Sequence, residues 1–292
     1  MKNAQIWING RFYDAQEARV SVNDRGFLYG DGVFETMRSY AGAVFMLNEH
    51  IRRLFKSLKF LEIKLPYSKV ELEKAIYRTL MVNGLKNACV RITVTRGEGG
   101  SGINYERKSI PNVVIITKRF DGYPDRSYDR GIKAKIVPIR QNEFSPVSNF
   151  KTISFLNYIL ARSFARKDDF DEAILINTEG YVAEAATGNV FLVKGKRLVT
   201  PSVSSGILPG IARSAILKIA GRIGISVRES RILRKELLSG DEIFLTNSLA
   251  EVLPVTKIDS KKIGAGRAGE ITRLFHILYQ RQVIEEVIHL KP

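Results

Sequence analysis

With 292 residues, 45% hydrophobic and 26% charged, the chain has the profile of a folded protein of one large domain or two ordinary ones, which excludes disordered, collagen-like and low-complexity architectures. Its net charge of +16 raises nucleic-acid binding, but the positive residues are spread through the chain and cluster only as dipeptides (Arg52-Arg53, Lys261-Lys262), so a field that gathers small anions is expected instead. One cysteine, Cys89, excludes an internal disulfide and a multi-cysteine zinc site, and His50, His276 and His289 lack metal-ligand spacing, so no metal is expected.

In chain order, Ile6–Gly10 reads as a short strand and turn, and Val20–Val22 as another strand. Residues 29–32 form a turn into a strand over 33–38. Asn48 is the expected N-cap of a helix to about residue 61, with Ile51, Leu54, Leu58 and Leu61 on one face. Ser68 followed by Glu71 is a capping-box pattern for a second helix to about Val82. Strands are expected at 88–95 and 112–118, and residues 119–131, rich in Asp, Gly, Pro, Tyr and Arg, read as a linker.

The second half opens on a strand near 132–138 and a helix near 153–166. Strands cover roughly 172–200, a helix runs from Pro209-Gly210 to about 222, and strands return near 225–229, 241–246 and 252–258. A last helix covers about 268–288. The expected architecture is α+β: a smaller domain, 1–118, the linker 119–131, and a larger domain, 132–292, both with largely antiparallel sheets. No apolar run approaches the roughly 20 residues that cross a bilayer, and residues 1–7 lack a signal-peptide core, so a cytoplasmic protein is expected.

Three segments carry candidate chemistry. Lys151 is the only lysine between Lys135 and Lys167, where a strand gives way to a helix among apolar residues. An amine in such surroundings loses basicity, as Schiff-base chemistry requires, although a lysine snorkelling from a half-buried edge reads the same way. Glu184 is the only acid in an otherwise apolar or small stretch, 180–190; it either accepts backbone N–H bonds in a turn or pairs with a buried cation. Residues 205–213 open a helix with Gly and Pro, and free N–H groups at a helix N-terminus bind phosphate, a weak signal by itself.

The order is lysine, then E-x-x-x-x-N 33 residues on, then G-I-L-P-G-I-x-R another 22 on. With it come Tyr29-Gly30-Asp31-Gly32-Val33-Phe34-Glu35, His50-x-x-Arg53-Leu54 and Asn247-Ser248-Leu249-Ala250-Glu251-Val252-x-Pro254-Val255. This set resembles the class IV aminotransferases, the fold-type IV pyridoxal-phosphate enzymes, over essentially the whole chain. The resemblance implies a two-domain fold like that of D-amino acid aminotransferase, a homodimer, and pyridoxal 5′-phosphate as cofactor. It implies that Lys151 carries the cofactor and shuttles the α-proton, and that Glu184 keeps the pyridine nitrogen protonated. It assigns the phosphate to Arg53, Ser248 and the backbone N–H groups of Ile211 and Ala212, and the ring face to Leu208. His50 is expected to be structural.

Arg91 and the Gly100–Asn104 loop resemble the branched-chain amino acid aminotransferases, in which such an arginine receives the distal carboxylate of 2-oxoglutarate. One pocket must accept both an aliphatic side chain and a carboxylate, and a guanidinium at its rim meets that need. Tyr29 and Phe34 are expected to line the same pocket. Three positions depart from the branched-chain pattern. Phe155 or a neighbour stands where a tyrosine bonds the cofactor's phenolic oxygen, Ala212 replaces a threonine, and Cys89 replaces a tyrosine. The Arg96–Gly102 segment and Phe34-Glu35-Thr36 also resemble aminodeoxychorismate lyases. The expected reaction is transamination between a branched-chain or related aliphatic L-amino acid and 2-oxoglutarate, with the lyase, or a D-amino acid or (R)-amine transaminase, as alternatives.

Overall fold

A computed structural model describes residues 4–100, 102–105 and 109–289. Ser101, within the Gly100–Asn104 loop, lies outside them, as do residues 1–3. The chain divides into two compact units: Met1–Asp121 with Lys151–Ser154 and Glu285–Pro292, and Gly122–Phe150 with Phe155–Ile284.

In the first unit, β1 (Gln5–Ile8) and β2 (Arg11–Asp14) form a hairpin. They precede α1 (Arg25–Tyr29), β3 (Gly32–Tyr40), β4 (Ala43–Val44), α2 (Leu47–Phe60), α3 (Lys69–Val82), β5 (Ala88–Thr95) and β6 (Asn112–Arg119). The six strands make an antiparallel sheet in the order β2-β1-β6-β5-β3-β4. β5 alternates: Ala88, Val90, Ile92 and Val94 are buried, while Cys89, Arg91, Thr93 and Thr95 take the other face and are half-buried. Ile51, Leu54 and Leu58 of α2 and Leu72, Ile76 and Leu80 of α3 join the buried strand residues in one core. Each fully buried Leu or Ile there contributes about 1.5–3 kcal/mol.

The second unit holds α4 (Asp125–Arg130), β7 (Ile132–Gln141), α5 (Leu156–Lys167), β8 (Glu172–Asn177), β9 (Val182–Ala185), β10 (Asn189–Lys194) and β11 (Arg197–Pro201). Next come α6 (Ile211–Arg222), β12 (Val227–Ser230), α7 (Arg234–Leu238), β13 (Glu242–Asn247), β14 (Glu251–Ile258), β15 (Lys261–Lys262) and α8 (Glu270–His289), whose last residues belong to the first unit. The nine-stranded sheet runs β12-β11-β10-β13-β14-β7-β8-β9, with β15 beside β14. It is more mixed than expected, since β11–β12, β14–β7 and β7–β8 are parallel.

Several local expectations gave way to tertiary contacts. Residues 20–22 are not a strand; Val22 is 70% exposed, and the Asp24 carboxylate, accepting from the Gly26 N–H, starts α1 instead. Asn48 is not the N-cap of α2. Met46 holds that position with φ +51, its N–H donating to Glu286 of α8 at 2.7 Å. Residues 119–131, expected as a linker, hold the end of β6 and then α4, and the second unit takes over from Gly122. Helix α5 begins at Leu156, three residues late, because Lys151–Ser154 bridges to β3 and belongs to the first unit.

Candidate active site

In the first unit the site is built on β3. The Phe34 N–H donates to the Lys151 carbonyl at 2.9 Å, the Ile153 N–H donates to the Gly32 carbonyl at 3.0 Å, and Thr152 bridges Val33. Lys151 is thereby strapped beside Phe34 by backbone bonds that do not involve its side chain. Its ammonium lies 4.5 Å from the centre of the Phe34 ring, and the Arg91 guanidinium lies 3.8 Å from the same centre. Arg91 reaches that ring because Phe34 pairs with Thr93 and Thr36 with Arg91 in the β3–β5 register, which places all four side chains on one sheet face. The Arg91 Nε donates to Thr93 Oγ1 at 3.2 Å. Two cations sharing one aromatic ring create a positive spot in which a carboxylate is stabilised. Burial pulls the Arg91 guanidinium below its ordinary value, partly offset by Cys89, and burial pushes the Cys89 thiol up.

Tyr29 ends α1 and is about half exposed, 4.8 Å from the Arg25 guanidinium. Gly30 closes the helix at φ +68, and a Cβ there would strike Ser154 Oγ at 2.5 Å, so the turn demands glycine twice over.

Glu35, one residue beyond Phe34, points to the opposite face, where it is 1% exposed. An isolated carboxylate there would be costly, and α2 supplies the compensation from positions three apart. Arg53 donates from Nε to Glu35 Oε1 and from Nη2 to Oε2, both at 2.7 Å, and His50 Nδ1 lies 2.7 Å from Oε2. Burial alone would raise the Glu35 carboxyl. Burial is the largest single influence, but the Arg53 guanidinium, hydrogen bonds from Arg53 and His50 and the His50 charge together outweigh it and hold the carboxyl down to about 2. Burial lowers His50, more than Glu35 raises it. Because the Glu35 value falls from 4.5 on folding, its stabilisation is present above pH 4.5 and lost as pH falls toward 2, on the order of 3 kcal/mol in all. Urea unfolding between pH 7 and 3 is therefore expected to show a stability loss that Glu35→Gln flattens; an unchanged slope in the variant would refute the assignment.

In the second unit Glu184, 3% exposed on β9, is held at both oxygens. Oε1 accepts from the Tyr158 hydroxyl at 2.7 Å, and Oε2 accepts from the Leu208 N–H at 3.0 Å and from Asn189 Nδ2 at 3.4 Å. Asn189 Nδ2 also donates to the Leu208 carbonyl at 2.9 Å, so the backbone of Leu208 is fixed on both sides. A Cβ on Gly210 would meet Asn189 Oδ1 at 2.0 Å, which explains a glycine at the N-cap of α6. That helix carries no side-chain cap, so its first N–H groups, those of Ile211 and Ala212, suit an anion. Asn247 Oδ1 accepts from the Leu249 and Ala250 N–H groups at 2.9 and 2.7 Å, a side-chain turn that holds Ser248 between β13 and β14.

Of the expected residues, Lys151, Phe34, Arg91, Arg53 and Tyr29 lie in the first unit, where Phe34 joins Lys151 to Arg91. Glu184, Leu208, Ile211, Ala212 and Ser248 lie in the second, where Glu184 is bonded to Leu208. Sequence reasoning missed the roles of Glu35, Thr93, Gln141 and Tyr158. The first two were legible in principle, from β-strand alternation and the His50-x-x-Arg53 spacing. Tyr158 sits one helical turn after Phe155, against whose ring it stacks at 4.6 Å.

Residues 32–258 match the amino-transferase class IV family. A putative branched-chain-amino-acid aminotransferase of Methanocaldococcus jannaschii is 40% identical over 92% of this chain and 93% of its own length. The aminodeoxychorismate lyase of Bacillus subtilis is 35% identical over 98% and 97%. Among solved structures, the branched-chain amino acid aminotransferase of Escherichia coli superposes with a TM-score of 0.92 at 32% identity, covering 96% of this chain and 94% of that one. No helix among the described residues is long and apolar enough to cross a membrane.

Proposed function

The chain belongs to the class IV aminotransferases, with their two-domain mixed α/β fold, and on that premise we propose that it transfers an amino group between a branched-chain or related aliphatic L-amino acid and 2-oxoglutarate, using pyridoxal 5′-phosphate. The observation that carries the substrate assignment is the Arg91 guanidinium stacked on Phe34, whose ring also meets Lys151.

The residues fit the cofactor. A buried carboxylate held by hydroxyl and amide donors suits a protonated ring nitrogen, and an uncapped helix start suits a phosphate. When bound, the cofactor supplies a protonated aromatic ring that accepts the electron pair released at the substrate α-carbon. Lys151 would carry it covalently and, once the substrate amine has displaced it from the cofactor, its freed amine would take the proton from that carbon as general base. Glu184 holds the proton on the ring nitrogen, and Leu208 packs on the ring face. Arg53, oriented by Glu35, binds the phosphate with Ser248 and the Ile211 and Ala212 N–H groups. Phe34 and Tyr29 line the side-chain pocket, and Arg91 receives the distal carboxylate of the dicarboxylic substrate. We further propose a cytoplasmic homodimer, supported by the family and by exposed apolar residues in α1, of which Phe27 is 72% exposed.

The test is a half-reaction. L-leucine, L-valine or L-isoleucine is expected to bleach the visible band of the loaded protein, and 2-oxoglutarate to restore it. The second reading, a lyase, is favoured by the 35% identical Bacillus relative. It stands if the branched-chain amino acids leave the spectrum unchanged while aminodeoxychorismate yields pyruvate and 4-aminobenzoate. A response to D-alanine alone would overturn both.

A further inference from the structure

Three donors on Glu184, from Tyr158, Leu208 and Asn189, differ in kind. The Leu208 N–H belongs to the backbone, and the Asn189 amide is long to Glu184, at 3.4 Å, and short to the Leu208 carbonyl. The Tyr158 hydroxyl makes the shortest of these three bonds, at 2.7 Å, and its direction is fixed by a further residue. Gln141 is 5% exposed on β7, and its Nε2 donates to the Gly206 carbonyl at 2.9 Å and to the Tyr158 oxygen at 3.1 Å. An amide nitrogen has only protons to offer, so the phenol oxygen accepts from Gln141 and its single proton is left for Glu184. Stacking on Phe155 holds the plane of the ring. Gly206, Gln141, Tyr158 and Glu184 thus form a directed chain inside the second unit, ending at one oxygen of the carboxylate.

We propose that Tyr158 is a positioning residue for the reaction: its hydroxyl aims the Glu184 carboxylate and keeps it ionised, so that the proton shared with the cofactor's ring nitrogen stays on nitrogen. The inference rests on the reading that Glu184 meets that nitrogen. A hydrogen bond to a carboxylate favours its charged form, and its removal makes the carboxylate a stronger competitor for the proton. Burial, with the Glu184 charge second, pushes the phenol far above its ordinary value, so Tyr158 remains a donor throughout the working pH range. A tyrosine that only filled space would leave the ring nitrogen untouched.

The experiment loads the wild type, Tyr158→Phe and Glu184→Gln with pyridoxal phosphate carrying 15N in the ring and reads the nitrogen's chemical shift. The wild type is expected at the pyridinium position, Glu184→Gln displaced toward neutral pyridine, and Tyr158→Phe displaced the same way but less. Tyr158→Phe is also expected to bind pyridoxal phosphate about 10-fold more weakly while binding the 1-deaza analogue, which has CH in place of the nitrogen, as the wild type does. If Glu184→Gln moves the signal and Tyr158→Phe does not, the pairing stands and the positioning role is refuted. Equal losses for both ligands refute it as well. If Glu184→Gln leaves the signal unmoved, the pairing fails and the proposal falls with it. Should Tyr158→Phe not fold, Gln141→Leu takes its place, since it keeps the phenol but releases its orientation; a displacement in the same direction supports the proposal and an unmoved signal overturns it.

Discussion

Lys151→Ala is expected to lower turnover about a thousandfold or more, because under the proposed function it removes the group that would both carry the cofactor and take the α-proton. The loss is chemical and not structural. Lys151 is fixed by its carbonyl, which accepts from Phe34 at 2.9 Å, and by the neighbouring Ile153–Gly32 bond, both of which alanine retains. The variant should therefore keep wild-type stability and still take up the cofactor non-covalently through Glu184 and the phosphate site. Borohydride reduction of the loaded wild type, followed by mass spectrometry, is expected to place a pyridoxyl group on Lys151, and the variant should carry none. An adduct on another lysine would move the site.

Arg91→Ala is expected to divide the two half-reactions. The guanidinium is half-buried between Phe34 and Thr93, so it can pair with a carboxylate out of bulk water, where truncating one partner of such a pair costs about 2–5 kcal/mol. At about 1.4 kcal/mol per tenfold, that is a loss of roughly 30- to 4,000-fold for 2-oxoglutarate. Leucine brings no second carboxylate, and its half-reaction should change only a few-fold, through lost packing on the Phe34 ring. Single-turnover rates with each substrate measure the ratio. Equal damage to both halves would make Arg91 a structural residue, and the pocket would need another carboxylate receptor. The pairing of Thr36 with Arg91 and Phe34 with Thr93 in the β3–β5 register makes the first outcome the expected one, since it aims the side chain onto the same ring as Lys151.

What the residues determine locally is legible in the amino-acid sequence itself. The 3.6-residue spacing of Ile51, Leu54 and Leu58 specifies the buried face of α2, the Ser68–Glu71 pair the capping box of α3, and the alternation over 88–95 the two faces of β5. The motifs around Lys151, Glu184, Gly206–Arg213 and Asn247–Val255 likewise point to a family, because the chemistry of each needs particular residue types at short separations. The division of the chain and the shells around the site are decided elsewhere. Lys151–Ser154 belongs to the first unit because it hydrogen-bonds to Gly32 and Phe34, more than 100 residues away. Met46 begins α2 because Glu286, 240 residues on, accepts its N–H. Gln141 points Tyr158 at Glu184 only once β7, α5 and β9 are packed. Side-chain periodicity is set by backbone geometry within a few residues, whereas the partner of a buried carboxylate or of an unpaired N–H is whichever donor or acceptor the finished packing brings within about 3 Å, and no local pattern encodes that choice.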